Sequence, residues 1–327
     1  MENTISQKKY YRTKIDSKAL KSLHEKNEFQ AWIRCLGHIA IVAGAGFSFV
    51  LFVARGNLLL AVISLITYGI TFSFLGWVGA SHELQHNSVF RNRLANEVWL
   101  YFFCLLSWTN PFYFRRTHAS HHMHTLDSHL DGEVKTTICR KMLNIILTST
   151  IDIPRFIRGL RMHMLNARGI VPNKNSACQF PMQGVNSMHS LTLFARILLF
   201  FHLSILLVSI ITGLWEGILL FTLGAFICNA PANMLATAQH CGMKSDVLDY
   251  RESTRTIILN PLLSFLYWNM NYHVEHHMYP GVPCYNLPRL HKIISSDLKE
   301  PACGLLSVFQ IILNNSRQHR VGDCALS

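Results

Sequence analysis

Four apolar stretches constrain this chain more than any other feature, and they come in two close pairs: about 35–54 with 58–80, and 196–214 with 218–237. Each is long enough to cross a bilayer, which takes roughly 20 apolar residues at about 1.5 Å apiece. Only Arg55, Gly56 and Asn57 separate the first pair, and only Trp215, Glu216 and Gly217 the second. Links this short fold each pair into a hairpin. In lipid every backbone polar group must be satisfied internally, so the spans are helices. The expectation is an all-α integral membrane protein with four transmembrane helices in two hairpins. A composition of 50% hydrophobic and 15% charged residues fits that class and not a soluble two-domain protein of 327 residues.

The net charge of +12 reads as topology. With four crossings, Arg55 is the only one of the 30 Lys and Arg residues on the far side. The positive-inside rule then puts both termini and the central segment in the cytoplasm, in a bacterial inner membrane or the endoplasmic reticulum. No nucleic-acid partner is expected. The nine cysteines are scattered, odd in number and without a CxxC pair, which argues against a disulfide framework. Residues 1–34 read as a polar, partly helical arm, 35–291 as the membrane domain and 292–327 as a cytosolic tail. The apolar runs 94–108 and 257–268 are short for a crossing and read as interfacial or re-entrant. Pro154 is expected to open a helix, with Arg155, Arg158 and Arg161 following on one face.

Histidine spacing carries the chemistry. His82 and His86 form an HxxxH box, while His118, His121 and His122, and again His273, His276 and His277, form HxxHH boxes. His240 stands alone just beyond the fourth stretch. Residues three and four apart share a helix face, so each box is expected to present its imidazoles as one cluster. All nine fall at or beyond the cytoplasmic ends of spans. Nine ligands are too many for one ion, since tetrahedral zinc takes four. Split four and five, they suit two metals with a place left for oxygen or water. Imidazole alone does not fix which metal. His124 and His129 lie close to box two and read as surface or packing residues, with a supporting role behind the ligands as the alternative.

One rival comes from the same residues. His82-Glu83-Leu84-Gln85-His86 also satisfies HExxH, the signature of a zinc protease with Glu83 as general base. That reading leaves most of the other seven histidines unexplained.

The three boxes, their order, and the run from Trp268 through His273, His276 and His277 to Pro280 resemble the membrane fatty acid desaturase and hydroxylase superfamily. The resemblance extends over about 58–291 and includes His240 as the isolated ligand between boxes two and three. It implies a four-helix membrane part capped by a cytosolic helical domain holding two non-haem iron ions. The nine histidines would be the iron ligands, with no catalytic residue beyond them. Dioxygen would be co-substrate, two electrons would be consumed per turnover, and a fatty acyl chain or related lipid would be desaturated. A hydroxylase or ketolase acting on a lipid or carotenoid-like substrate is the alternative. Glu83, Asn269, Asn271 and Glu275 are candidates to hold the ligands in place. Box three begins with His273 rather than Gln, unlike front-end desaturases, and Ala236 stands where acyl-CoA desaturases carry Asn. No HPGG sequence marks a fused cytochrome, so a separate ferredoxin or b-type cytochrome is the expected electron donor.

Overall fold

The computed structural model describes residues 10–134, 145–146, 149–171 and 185–325, and among them the chain is mostly helical. A short helix α1 (Ser17–His24), capped by the Asp16 carboxylate, precedes the first long one. Helix α2 (Glu28–Ala54) starts seven residues before the expected span. Asn27 sets that start, its Oδ1 accepting from Gln30 N at 3.1 Å. Helix α3 (Leu58–Phe72) follows after the three-residue link and is capped by Asn57.

Among the described residues, three stretches are long and apolar enough to cross a membrane: Glu28–Ala54, Leu58–Gln85 and Met188–Thr212. The second does not stop at residue 80. After α3 it continues through a 3-10 turn (Ser73–Leu75) into helix α4 (Ala80–Gln85), so His82 lies within this run rather than beyond it. On the third stretch Phe200 is 72% and Ile211 81% exposed, the behaviour of a lipid-facing surface rather than of a core.

The fourth expected span, 218–237, is not one helix. It breaks into a π-turn (Ile218–Thr222), a 3-10 turn (Gly224–Phe226) and, after an extended step, a helix beginning at Ala230. Hydropathy misses the cause. Pro231 has no N–H to donate and its ring clashes with the carbonyl four residues back, so the chain can only restart a helix there. Carbonyls freed by the break find side chains: Tyr68 Oη donates to Leu220 O, and Trp108 Nε1 donates to Thr222 O at 2.9 Å. The broken segment lies tight against α3, since a Cβ on Gly69 would fall 2.4 Å from Ile227 O.

The remaining helices surround the ends of these runs. Helix α5 (Arg93–Leu106), helix α6 (Pro111–Met123) and helix α7 (Ile153–Asn166) begin on the caps Asn92, Asn110 and Asp152. Pro154 sits in the first turn of α7, as its sequence suggests. Helix α8 (Val185–Thr212) carries the third apolar stretch, and helix α9 (Ala230–His240) follows the break. Then come α10 (Tyr250–Ser253), α11 (Pro261–Leu266), α12 (His273–Met278), α13 (Leu287–Ile294) and α14 (Gly304–Ala325). A parallel pair of two-residue strands, Ile257–Ile258 with Ala302–Cys303, ties the run before box three to the C-terminal region.

Candidate metal centre

Four helices deliver the nine histidines. α4 and its C-cap carry His82 and His86, α6 carries box two, α9 ends on His240, and α12 carries box three. Their ring nitrogens form two groups, each with all its atoms within 4.8 Å of one another. One contains His82, His86, His118, His122 and His276; the other contains His121, His240, His273 and His277. The boxes do not map one to one onto these groups. His118 and His122, and His273 and His277, stay together because residues four apart on a helix differ by only about 40°. His121 and His276 swing about 100° away from the fourth-position partner and join the other group.

The outer nitrogens are held from behind. His82 Nδ1 lies 3.1 Å from Trp77 O, and His240 Nδ1 lies 3.0 Å from Ser253 O. A carbonyl oxygen can only accept, so both rings carry the proton on Nδ1 and turn the Nε2 lone pair inward. His121 Nδ1 donates to Asp131 Oδ2 at 2.8 Å and His118 Nδ1 to Glu133 Oε2 at 3.2 Å. Thr125 Oγ1 stands 3.2 Å from His277 Nδ1. Glu83 Oε1 comes within 3.1 Å of His276 Nδ1, close but not aligned as a hydrogen bond.

Inward, Nε2 atoms face Nε2 atoms. His118 meets His86 at 3.1 Å and His122 at 2.9 Å, His276 meets His82 and His122 at 3.1 Å each, and His273 meets His240 at 3.0 Å and His277 at 3.1 Å. Lone pairs fixed at this separation repel unless a proton or a cation stands between them. A cation bonded to imidazole at about 2.1 Å holds two ligands at right angles about 3.0 Å apart, the spacing seen here. Burial, reinforced by the neighbouring imidazoles, holds His118, His122, His273 and His277 well below the usual imidazole range, so their lone pairs are free for a metal. His121 is the exception. Burial opposes its charge, but the hydrogen bond and negative charge of Asp131 outweigh it and raise its pKa. The residues present therefore fit two cations side by side.

Of the four candidates to hold ligands, Glu83 reaches a box histidine. Glu275 instead accepts from Thr256 Oγ1 at 2.5 Å and contacts His291 Nδ1. Asn269 donates to Cys284 O at 2.8 Å and Asn271 to Ile257 O at 2.9 Å, so both anchor the loop that carries box three. His124 and His129 belong to neither group. Sequence reasoning passed over Asp131 and Glu133. The only signal was an Asp-Gly-Glu run in the loop after box two, and loops have no periodicity to place a side chain.

A cavity of about 730 Å³ opens beside the centre, with Phe114, Thr117, Glu133, Ala236 and His240 in its wall. One side of α7 and the start of α6 complete it, and the lining is mostly apolar. An apolar channel whose wall includes a histidine of one group and the carboxylate that holds a histidine of the other suits a chain-like substrate.

Comparison with known proteins agrees with this geometry. The family model described as fatty acid desaturase matches residues 58–306, a region that includes all nine histidines. A human protein, sphingolipid delta(4)-desaturase/C4-monooxygenase, is 25% identical over 226 residues, which is 65% of this chain. The chain spans 60% of the length of that relative.

Proposed function

Because the chain belongs to the fatty acid desaturase family, we propose that this lipid-modifying oxidoreductase is an oxygen-dependent di-iron enzyme that introduces a double bond into a fatty acyl chain or related lipid. The observation that carries the proposal is the pair of converging histidine groups, five and four, beside an apolar cavity. Iron ions held by His82, His86, His118, His122 and His276, and by His121, His240, His273 and His277, would supply the activation of dioxygen that an unactivated C–H bond demands. The protein's own residues do the rest. Asp131, Glu133 and the carbonyls of Trp77 and Ser253 fix the tautomer and direction of four imidazoles, which raises their basicity as ligands. Phe114, Ala236 and Met162 contribute apolar wall along which a methylene chain can lie.

Desaturation and hydroxylation differ in where the chain rests along that wall. A relative named both desaturase and C4-monooxygenase keeps the hydroxylase reading as the second one. The protease reading fits less well. A zincin leaves an open coordination place served by its glutamate, whereas Glu83 is buried against His276 and both zincin histidines meet three further imidazoles.

The same reading takes four passages through the membrane, the fourth being the broken segment from Ile218 to His240, with both termini and the metal centre on the cytoplasmic side. Support comes from the isolation of Arg55 and from the lipid-like exposure of the long helices. A separate ferredoxin or b-type cytochrome would supply electrons. The test is lipid analysis after expression in a host of known composition, with and without air. New unsaturated species that require oxygen support the proposal. New hydroxylated species shift it to the second reading, and unchanged lipids oppose both.

A further inference from the structure

Helix α7 turns one side to the cavity. Arg155, Arg158, Gly159, Met162, His163 and Asn166, spaced by threes and fours, all line it. At the far end of that side the polar atoms are unmet. Asn166 is fully buried, and neither its Oδ1 nor its Nδ2 has a hydrogen-bond partner. One turn earlier, His163 Nε2 lies 3.0 Å from Trp108 O. The carbonyl can only accept, so Nε2 carries the proton, and the neutral ring leaves Nδ1 as a lone pair. That atom too is buried without a partner. Burial pushes the His163 pKa down, in keeping with a neutral ring.

Buried polar groups are normally paired, and leaving them unpaired is costly. Here three buried atoms without partners, two acceptors and one amide nitrogen, belong to side chains that line the cavity in which the substrate is proposed to lie. We propose that Asn166 and His163 form a recognition point for a neutral polar group on the lipid, one that brings at least one O–H or N–H donor together with an acceptor. The substrate is then a hydroxylated or amide-linked lipid rather than a free fatty acid, a plain ester or a hydrocarbon. Asn166 Oδ1 and His163 Nδ1 both need donors, and a carboxylate, an ester or a hydrocarbon has none to offer. A carboxylate would also set its charge against both lone pairs. Arg158 lies eight residues before Asn166, about 12 Å along the helix, so the cationic end of this side is separate from the amide end. The inference rests on the cavity being the substrate site of the function proposed above.

The experiment measures binding, not turnover, on the full-length protein in lipid nanodiscs. N-palmitoyl ethanolamine carries a hydroxyl, an amide N–H and a carbonyl; methyl palmitate and palmitate carry acceptors only. The wild type is expected to bind the amide alcohol about ten-fold or more tighter than the ester. In Asn166→Leu that ratio falls to near one while ester binding holds, and the ligand-free protein melts no lower than wild type, because an unpaired amide has been replaced by an apolar group of similar size. His163→Gln keeps a donor for Trp108 O, removes the Nδ1 acceptor and gives an intermediate ratio. Equal affinities in the wild type would overturn the inference, as would tighter binding of palmitate. So would an Asn166→Leu protein that melts lower with its ratio intact, the mark of an amide paired with internal water. Iron content and product formation, read on the same preparation, separate the two claims. An iron-loaded, active enzyme with no amide preference defeats this inference alone, whereas an amide preference in a protein that binds no iron defeats the proposed function alone.

Discussion

Replacing Asp131 by Asn changes almost nothing in shape and a great deal in hydrogen bonding. Asp131 is buried, and four N–H groups converge on its carboxylate. Oδ2 accepts from His121 Nδ1 and from Leu126 N, each at 2.8 Å. Oδ1 accepts from Glu133 N at 2.7 Å and Val134 N at 2.9 Å. An amide has only one acceptor oxygen, so whichever way it is turned, two donors face an N–H₂ group. At about 1–3 kcal/mol for each buried donor left unmet, the variant loses about 2–6 kcal/mol. Part of that falls on the loop after box two and part on the four-histidine group, where His121 loses the group that orients it. Loss of such an outer partner typically weakens metal binding about 10–100-fold. Titration of the metal-free protein with ferrous iron, followed by thermal melting, reads both. Asp131→Asn should bind the ion of the four-histidine group at least about ten-fold more weakly and melt lower than wild type. Wild-type iron affinity with an unchanged melting point would refute the argument that Asp131 orients His121.

Three further outcomes follow from the same geometry. Alanine at any one of the nine histidines should abolish turnover with membrane insertion intact, whereas His129→Ala should keep substantial activity, because His129 lies outside both groups; full activity in His240→Ala or His276→Ala breaks the ligand assignment. Glu83→Gln should lower activity by about 10–100-fold through His276, while a protease using Glu83 as base would lose proteolysis altogether, so a proteolytic activity that vanishes in this variant defeats the desaturase reading. In a background without native cysteines, Leu58→Cys should react with an impermeant thiol reagent in sealed cells and Lys18→Cys only after the membrane is opened, and labelling of position 18 in sealed cells would place the arm on the wrong side.

The histidines were legible because metal chemistry needs many of one residue type at short spacing, and His118-x-x-His121-His122 stands out in any context. Their division was not. Whether His121 joins His118 or His240 depends on an angular difference of about 100° between the third and fourth positions and on where the neighbouring helices lie. Asp131 and Glu133 sit in a loop, where no period tells which way a carboxylate points. The long helices were legible from apolar length, but their starts were set by capping, as at Asn27, rather than by hydropathy. The fourth stretch misled because an average over 218–237 is blind to one proline. Pro231 and the carbonyl acceptors met by Tyr68 and Trp108 decide its path, and those partners lie 152 and 114 residues away in the chain. The polar atoms of His163 and Asn166 were invisible for a similar reason, since an orphaned hydrogen-bonding group exists only once the cavity around it does.

Metal content of the purified full-length protein tests the central claim most directly. Two converging groups of imidazoles with inward lone pairs predict two iron ions per chain after reconstitution under anaerobic conditions, falling in variants of either group. A single zinc ion per chain, held by His82 and His86 and insensitive to loss of His273 or His277, would contradict the account.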